Sequence, residues 1–539
     1  MLKGWTLINS GMIKSVWVIT FELDEFARVG GLGKAVSLFI KTLIKNGLKV
    51  TIFIPSHGRH LSEEYSRKFN LRSLSNFSVS GFRKGLDGNR YHYSIGAEEG
   101  FYYGARLIIF KGLDYETGKF LDSWEIYKDL PEKACLFSRS LRHWVEYFDE
   151  LPDVIHSNDW ASGLAGSLLK IYFEMKGVKV PHLHSIHLLS SPSFPWHYAS
   201  EDWCGIPNVP HKIWLSNKHE TLYTEHLWDS TYGNVDNFTV LESDALASNS
   251  YSYLNEILSR FGKWLEPKTC VIYNVTDWDV SSIIDLALRK VGNASRNVVR
   301  NYITNYILSN ANVVKLGSLN RCEFLIVSSG RITWQKGFDI LIKSLDYMDS
   351  RIGVLIAGIR IGDKDFEGLI SKLVEERWGR AALILSGIDE WVIKLLVYSA
   401  NVYAALSRYE PFGIVSIEAQ ALGTPVVVSN VGGLPETLLD LKHNADGSGT
   451  CVSIDDIRGV AETLESMVFL TEVVDRGRRD LIKDIRTGWV KDLIISDRVR
   501  DIRMNAINWV NSKFREGNLW STLMSCYEKA RLYAFYRSL

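Results

Sequence analysis

The amino-terminal part of the chain opens with an apolar, β-branched run at residues 15–20. A glycine-rich turn follows, and then a segment, 34–47, whose apolar residues recur at helical spacing and stop at Asn46-Gly47. Another apolar run occupies residues 49–55. This order predicts a strand, a helix and a second, parallel strand, which is the repeating unit of a doubly wound sheet.

The same pattern restarts in the second half of the chain, at residues 323–331. A helical pattern follows, and further apolar runs predict later strands of one sheet at 351–359, 381–387, 401–406 and 424–429. The predicted fold class is α/β, with two doubly wound, Rossmann-like domains that face each other across a cleft. In such folds ligands bind beyond the carboxyl ends of the strands.

The predicted boundaries follow these patterns. Residues 1–275 form the first domain, 276–320 a hinge and variable segment, and 321–510 the second domain. The final segment, 511–539, has the apolar and aromatic residues of a helix that must be buried, so we expect it to pack back on the first domain.

Composition indicates an ordinary globular protein, with 46% hydrophobic and 23% charged residues. Basic and acidic residues balance at 62 each, which disfavours a nucleic-acid partner. No apolar run approaches the roughly 20 residues of a membrane helix. The first 21 residues lack the pattern of a secretory signal peptide. We therefore expect a cytoplasmic protein that does not associate with membranes.

The 6 cysteines are scattered along the chain without a Cys-x-x-Cys pair. Their spacing argues against a disulfide scaffold and against a structural zinc site. Reduced thiols are the expectation.

A glycine-rich loop, ARVGGLGKAV, follows the first predicted strand. Adjacent glycines let a ligand approach the backbone, the next helix points free N–H groups at it, and Arg28 adds a positive charge. The loop suits a phosphate group, although an ordinary strand-to-helix turn has the same composition. It is not a Walker loop, because no glycine stands five residues before Gly33 and Ala35 replaces the metal-binding Ser or Thr.

Two later segments also carry candidate chemistry. Arg331 and Lys336 follow the opening strand of the second domain, where two cations suit a pyrophosphate that gains charge as its bond to a sugar breaks. Glu410 should lie at the carboxyl edge of the sheet and Glu418 in the next helix, and carboxylates bind sugar or ribose hydroxyls well. The alternatives are solvated surface cations and a capped helix with exposed acids.

Together these motifs resemble those of the glycogen and starch synthases, retaining glycosyltransferases with two Rossmann-like domains. RVGGLG is similar to the family's Lys-x-Gly-Gly-Leu loop, GRITWQKGFDIL to its Arg-x4-Lys-Gly segment, and SRYEPFGIVSIEAQALG to its donor-binding Glu-x7-Glu segment. DVIHSNDWASGLAG and LHSIHLLS are similar to segments that line the acceptor and catalytic sides.

The resemblance implies transfer of glucose, with retention, from ADP-glucose or UDP-glucose to the non-reducing end of an α-1,4-glucan. The first domain would hold the acceptor and the second the nucleotide sugar. Catalytic roles fall on His187 beside the reacting carbon, on Arg331 and Lys336 at the leaving diphosphate, and on Glu410 at the glucose hydroxyls. Asp159 would face the acceptor. The donor would be bound by Arg28, Gly30, Gly31, Phe412, Gly413, Ile414 and Glu418.

Front-face attack, with the leaving phosphate taking the acceptor's proton, is the expected route, because no nucleophile is evident on the far face of the sugar. Two cations and helix ends can replace a metal, so no metal and no cofactor are expected. The His-x-x-His in HSIH does not converge well on a strand. A homo-oligomer is left open.

The sequence departs from the family pattern at several positions. Arg28 replaces a lysine, Leu188 an asparagine after the catalytic histidine, and Asn158 the histidine of His-Asp-Trp, while Ile388 stands where an aromatic residue is common. Two alternatives therefore stay open. One is a related retaining transferase acting on a small sugar, such as a trehalose-forming enzyme, or on a lipid. The other is a non-catalytic glucan-binding regulator, which the intact Arg331, Lys336 and Glu410 disfavour.

Overall fold

The computed structural model describes residues 12–216 and 218–537. The first eleven residues, which make up half of the stretch predicted not to be a signal peptide, lie outside the described residues. The chain divides into two compact units. The first unit comprises Met1–Tyr273 and Glu516–Leu539, and the second comprises Asn274–Arg515.

The strands fall into two groups, one in each unit. Those of the first unit are β1 (Ser15–Ile19), β2 (Lys49–Pro55), β3 (Arg72–Lys84), β4 (Arg90–Tyr102), β5 (Ala105–Gly112), β6 (Val154–Asn158), β7 (His182–Ile186), β8 (Pro210–Leu215), β9 (Lys218–Tyr223), β10 (Ala245–Ser248) and β11 (Thr269–Val271). Those of the second are β12 (Val314–Ser318), β13 (Phe324–Arg331), β14 (Ile352–Ile359), β15 (Ala381–Ser386), β16 (Val402–Ala405), β17 (Val426–Ser429) and β18 (Gly449–Val452).

Helices connect most of these strands. From the start of the chain they are α1 (Gly31–Lys45), α2 (Glu63–Phe69), α3 (Tyr115–Leu121), α4 (Leu130–Tyr147), α5 (Asp159–Met175), α6 (Trp196–Ala199), α7 (Thr224–Ser230), α8 (Val235–Glu242) and α9 (Tyr251–Phe261). They continue with α10 (Val280–Val291), α11 (Arg296–Ser309), α12 (Phe338–Ser344), α13 (Lys364–Glu376), α14 (Glu390–Ser399), α15 (Ile414–Ala421), α16 (Ile457–Arg476), α17 (Gly488–Ile495), α18 (Ile502–Lys513) and α19 (Glu516–Tyr536).

Among the described residues of the first unit, nine strands form one sheet in the order β11-β10-β7-β6-β1-β2-β5-β4-β3. The neighbours from β11 to β5 pair in parallel, and β4 runs antiparallel to both β3 and β5. The apolar side chains of β1 are buried, which explains why this strand lies near the middle of the sheet.

Within the part of the second unit that the structure describes, seven strands form a sheet in the order β12-β15-β14-β13-β16-β17-β18. All neighbours are parallel except β12, which pairs antiparallel with β15. The order reverses between β13 and β16, so the loops after these two strands lie side by side at the carboxyl edge. That reversal is where doubly wound sheets bind ligands.

The α/β fold class is confirmed in both units. The predicted strand–helix–strand unit at the amino terminus appears as β1, α1 and β2, with Val16 opposite Val50 in parallel register. The segment 276–320, predicted as a hinge, contains α10, α11 and β12 and lies in the second unit. Its helices bury apolar residues such as Ile283 and Ile303.

The final helix, α19, is grouped with the first unit, against α1 and the strands β7 and β10. No helix within the described residues combines the length and the apolar character needed to cross a bilayer.

The expectation of reduced cysteines is wrong for four of them. Within the described residues, one disulfide joins Cys135 of α4 to Cys204, and a second joins Cys270 of β11 to Cys526 of α19. The partners are 69 and 256 residues apart in sequence, yet tertiary packing brings their Cα atoms to 4.3 and 6.1 Å. Spacing along the chain could not indicate pairs that only the packing of α4 and α19 creates.

Candidate active site

Two of the three side chains predicted for catalysis in the second unit contact each other. Lys336 follows β13 and Glu410 follows β16, and Lys336 Nζ lies 2.5 Å from Glu410 Oε2. Ser407 Oγ donates to the same oxygen over 3.2 Å. Both charged groups are largely buried, at 15% and 14% exposure, so the pair is shielded from water and its geometry is held.

Arg331 ends β13 and is partly exposed. Within the described residues its guanidinium forms no hydrogen bond or ion pair, whereas Lys336 is paired. The preceding residue, Gly330, has a φ of 147°. A Cβ added to Gly330 would lie 3.6–3.8 Å from the side-chain carbons of Lys336. The loop therefore presents one unpaired cation and one paired cation at the carboxyl edge of the sheet.

The helix α15 begins at Ile414, four residues after Glu410. Gly413 precedes it with φ of 106°, and a Cβ there would lie 2.5 Å from the side chain of Leu434, so glycine is required. The Phe412 ring is buried and packs on Phe514 at 5.8 Å, which leaves only its backbone for a ligand. Glu418, in the second turn of α15, is 9% exposed.

In the first unit, the glycine-rich loop is held by a carboxylate that the sequence did not single out. Glu22 is 2% exposed, and its Oε2 accepts hydrogen bonds from the backbone N–H groups of Val29 and Gly30, both at 2.9 Å. Its other oxygen accepts the hydroxyl of Tyr127. The only sequence signal for this role was weak, because Glu22 is one of three acidic residues in the stretch VITFELDEF. Tyr127 gave none.

Arg28 is partly engaged within its own loop. Its Nη1 lies 2.9 Å from Asp24 Oδ1, and its Nε donates to the carbonyl of Gly30 over 3.1 Å. The side chain is 43% exposed. Gly31 opens α1 and is exposed, so the first N–H groups of that helix are accessible to an anion.

His187 and Asp159 lie at the carboxyl ends of the neighbouring parallel strands β7 and β6. Asp159 Oδ1 accepts the backbone N–H of His187 over 2.6 Å and that of Leu188 over 3.0 Å. The Nε2 of His187 lies 3.2 Å from Asn158 Oδ1, to which it donates. Asp159 has a φ of 60°, a left-handed conformation that turns its side chain to this loop. It therefore positions the histidine, a role the sequence did not suggest.

Burial sets the protonation states of this pair. It lowers the pKa of His187 to about 4, so the ring is neutral near neutral pH. Burial raises the pKa of Asp159 to about 7, although the backbone N–H groups of His187 and Leu188 lower it. A neutral imidazole whose Nε2 carries the proton keeps Nδ1 as a hydrogen-bond acceptor.

The structure thus forms two groups of predicted residues, one in each unit. Arg331, Lys336 and Glu410 lie on neighbouring loops of the second unit, next to the start of α15. His187 and Asp159 form the corresponding group of the first unit, together with the glycine-rich loop on β1. The roles assigned to these residues stay predictions.

Among residues 12–216 and 218–537, no cluster of three or more His, Cys, Asp or Glu side chains has the arrangement of a metal site. The two histidines of HSIH have different partners: His184 Nδ1 lies 2.9 Å from Ser157 Oγ, and His187 contacts Asn158. The expectation of chemistry without metal or cofactor stays a prediction.

Two protein-family models match the chain in succession. The starch synthase catalytic domain matches residues 15–268, and glycosyl transferases group 1 matches residues 317–483. The chain belongs to the glycogen and starch synthase family. Both groups of site residues in this glycosyltransferase lie inside the matched regions.

Relatives with curated names agree. A glycogen synthase from Thermotoga maritima is 25% identical over 451 residues, covering 80% of this chain and 86% of that protein. One from Exiguobacterium sibiricum is 23% identical, covering 88% and 96%. An uncharacterized glycosyltransferase from Methanocaldococcus jannaschii is 28% identical over 333 residues, covering 61% and 70%.

Solved structures share the fold of this glycosyltransferase. The catalytic domain of starch synthase IV from Arabidopsis thaliana, bound to ADP and acarbose, matches with a TM-score of 0.69 at 17% identity, covering 96% of this chain and 99% of that one. Sucrose-phosphate synthase from Thermosynechococcus elongatus matches at 0.55 and 17% identity, covering 96% and 99%. The shared fold is the two-Rossmann-domain, GT-B type.

Proposed function

We propose that the protein is a glycogen synthase, which transfers glucose with retention from ADP-glucose or UDP-glucose to the non-reducing end of an α-1,4-glucan. The observation that carries the proposal is the Lys336–Glu410 contact at the carboxyl edge of the second sheet, next to the unpaired Arg331. The named glycogen synthases among the relatives support it.

The second unit would bind the donor. As the bond between glucose and diphosphate breaks, negative charge grows on the leaving oxygen, and Arg331 and Lys336 stabilise it. Glu410, held by Lys336 and Ser407, accepts hydrogen bonds from glucose hydroxyls. Glu418 and the backbone of Phe412, Gly413 and Ile414 bind the rest of the donor, with the ribose at Glu418.

The first unit would contribute His187 and the glycine-rich loop. The neutral His187 ring accepts a glucose hydroxyl, such as the 6-hydroxyl, at Nδ1, because Nε2 is engaged by Asn158. Arg28, Gly30 and Gly31 contact the donor phosphates and sugar. The acceptor hydroxyl attacks from the same face as the leaving group departs and gives its proton to the leaving phosphate, so no protein nucleophile and no metal take part.

The donor base, the acceptor and the cytoplasmic location are part of the proposal. Because four cysteines form disulfides, cysteine usage no longer supports a reducing compartment such as the cytoplasm. Disulfides are nevertheless compatible with an intracellular location, since intracellular proteins of hyperthermophiles also contain them. Leu188 bears on the acceptor, because it replaces a side chain that could form hydrogen bonds with one that cannot.

The test is to incubate purified protein with labelled ADP-glucose or UDP-glucose, each with glycogen, free glucose or a lipid extract. Label in glycogen, in the α-anomeric linkage, is the expected result and identifies the donor. Label only in a small sugar or a lipid would reassign the enzyme to the related transferases. No transfer to any acceptor would favour a non-catalytic glucan-binding protein.

A further inference from the structure

A cavity of about 770 Å³ lies in the second unit, beside the candidate donor site but separate from it. The side chains that line it include the aromatic Trp334 and the charged or polar Asp339, Lys343, Arg408, Asn430 and Asp455. Neither Lys336 nor Glu410 is among the described residues that line it. The volume falls within the ~300–1,000 Å³ range of small-molecule sites.

The position of the cavity is set by the same sheet edge. Trp334 follows β13, Arg408 follows β16, Asn430 follows β17 and Asp455 follows β18. These strands are parallel neighbours, so their loops open on one edge, where doubly wound folds bind ligands. The loop 331–337 thus contributes Lys336 to the donor site and Trp334 to the cavity.

Trp334 is an exposed aromatic residue on a fixed backbone. Its side chain is 62% exposed. Arg408 donates to its carbonyl over 2.7 Å, and the guanidinium lies 4.6 Å from the ring centroid. Arg408 also binds both oxygens of Asp339 at 2.8 Å, which anchors the arrangement to α12. An indole held in place beside polar groups offers a preorganised apolar surface to a ligand.

The charges around the cavity cancel. The charged lining groups are two acids, Asp339 and Asp455, and two bases, Lys343 and Arg408. Asp339 and Arg408 form an ion pair with each other. A phosphate or a strongly charged peptide would find no net attraction here. The side-chain amide of Asn430 is exposed and, within the described residues, forms no hydrogen bond. The site therefore suits an uncharged ligand with many hydroxyls and one apolar face.

We propose that this cavity is a second, non-catalytic binding site for a segment of an α-glucan chain. A glucose unit places its C–H face on Trp334 and its hydroxyls against Asn430, Asp455 and Lys343. Only the choice of α-linked glucose rests on the proposed function. Retention of one glycogen chain here raises the local concentration of neighbouring chain ends, which helps a branched polymer and not a short acceptor.

The test compares Trp334→Ala and Asn430→Ala with Trp378→Ala, a matched control that removes an exposed tryptophan (57%) elsewhere in the same unit. Glycogen affinity is measured by electrophoresis in glycogen-containing gels, and maltoheptaose binding by calorimetry. We expect the two cavity variants to bind glycogen about tenfold more weakly. Their KM for glycogen rises, while kcat with maltotriose and the control variant stay at wild-type values.

Wild-type glycogen binding in both cavity variants would overturn the proposal. So would a loss confined to Trp334→Ala with a lower kcat on maltotriose, since that result places the effect on the neighbouring Lys336. The outcomes separate this site from the proposed function. If the wild-type protein binds glycogen, the two cavity variants bind it more weakly, and no glucose is transferred, then the proposed activity is refuted and the proposed binding site stands.

Discussion

At the scale of single residues, this glycosyltransferase uses buried carboxylates to fix backbone as well as to face ligands. Glu22 accepts two N–H groups of the glycine-rich loop, and Asp159 accepts two N–H groups of the loop that carries His187. Each hydrogen bond to a carboxylate contributes about 1.5–3 kcal/mol, enough to hold one loop conformation. Both acids act through the residues that they position.

Glu22→Gln should impair donor binding without unfolding the protein. The amide is uncharged and has one acceptor oxygen, so it holds the loop N–H groups more weakly, and Tyr127 can keep a contact only by accepting a hydrogen bond from the new NH2 group. We expect the KM for the nucleotide sugar to rise about tenfold or more, with glycogen binding unchanged. Steady-state kinetics check this. Tyr127→Phe, which removes one of the three contacts, is the milder control. Wild-type kinetics in Glu22→Gln would rule out the positioning role.

Lys336→Ala and Glu410→Ala should each reduce turnover by about a hundredfold or more, because each removes a preorganised group worth roughly 3 kcal/mol. Since the two side chains contact each other at 2.5 Å, their effects should not add. The double variant should be little slower than the worse single variant. Additive losses, or substantial activity in either single variant, would contradict the assigned roles. Thermal unfolding of each variant shows that the fold is intact.

His187 should act as a neutral group. With its pKa lowered to about 4 by burial, protonation of His187 affects the rate only as the pH falls towards about 4. In the pH profile of kcat/KM, we expect no inflection near the ordinary histidine pKa that is present in the wild type and absent from His187→Gln. The pH profiles of wild type and variant, measured over the range in which both remain folded, test this. An inflection near pH 6.5 that disappears in the variant would refute it.

At the scale of elements, the final helix is attached to the first unit by different contacts at its two ends. Beyond the last turn of α19, Arg537 is 2% exposed and binds both oxygens of Asp244, at 2.7 and 2.8 Å, and also Glu174. At the first turn, Glu516 pairs with the 72% exposed Lys45. The disulfide to Cys526 lies between them. Burial makes the first pairing costly to break and the second nearly neutral.

Arg537→Ala should lower the free energy of unfolding of the first unit by about 3–5 kcal/mol, since it leaves the buried Asp244 without its cationic partner and removes one of the two partners of Glu174, which keeps Lys179. Lys45→Ala, at the other end of the same helix, should cost less than about 1 kcal/mol. Urea unfolding followed by tryptophan fluorescence measures both values. Equal losses in the two variants would show that burial does not separate these ion pairs.

At the scale of the whole molecule, the histidines are unevenly divided between the units. Of the 13 histidines, only His443 lies in the span of the second unit, and it is exposed. Burial lowers the pKa of seven histidines of the first unit: His57, His60, His156, His182, His184, His187 and His219. For His156 and His184 the value is about 3.

This distribution predicts that acid destabilises the first unit before the second. Below the ordinary value of 6.5 the unfolded chain binds protons that these buried rings exclude, so stability falls as the pH drops from 6.5 towards about 3–4. Asp122 and Asp159, whose pKa burial raises to about 7, act in the opposite direction but are fewer. Hydrogen exchange at about pH 7 and about pH 5 should show protection lost first in peptides of 12–273. Earlier loss in 274–515 would contradict this.

The elements that could be predicted were those whose signal is local. The runs at 15–20, 323–331 and 424–429 became β1, β13 and β17, because apolar β-branched residues bounded by glycine turns fit a buried parallel strand wherever it lies in the sheet. The loops after the strands were also evident, so Lys336 and Glu410 could be chosen as site residues before their contact was known.

What could not be predicted depended on partners distant in the chain. Glu22 meets Tyr127 across 105 residues, and Cys270 meets Cys526 across 256. Neither pair has a periodicity or a motif that links its members. The segment 276–320 was likewise assigned to a hinge because its packing partners in the second unit lie later in the chain.

By itself, the sequence determined the strand–helix repeats, the loops that carry charge and, through its motifs, the resemblance to the glycogen and starch synthases. Strand order, the carboxylates that fix the loops, the disulfides and the cavity beside Trp334 were decided only by the tertiary structure. The physical reason is range. Propensity and periodicity act over a few residues, whereas these features arise where separate strands and helices are brought into contact.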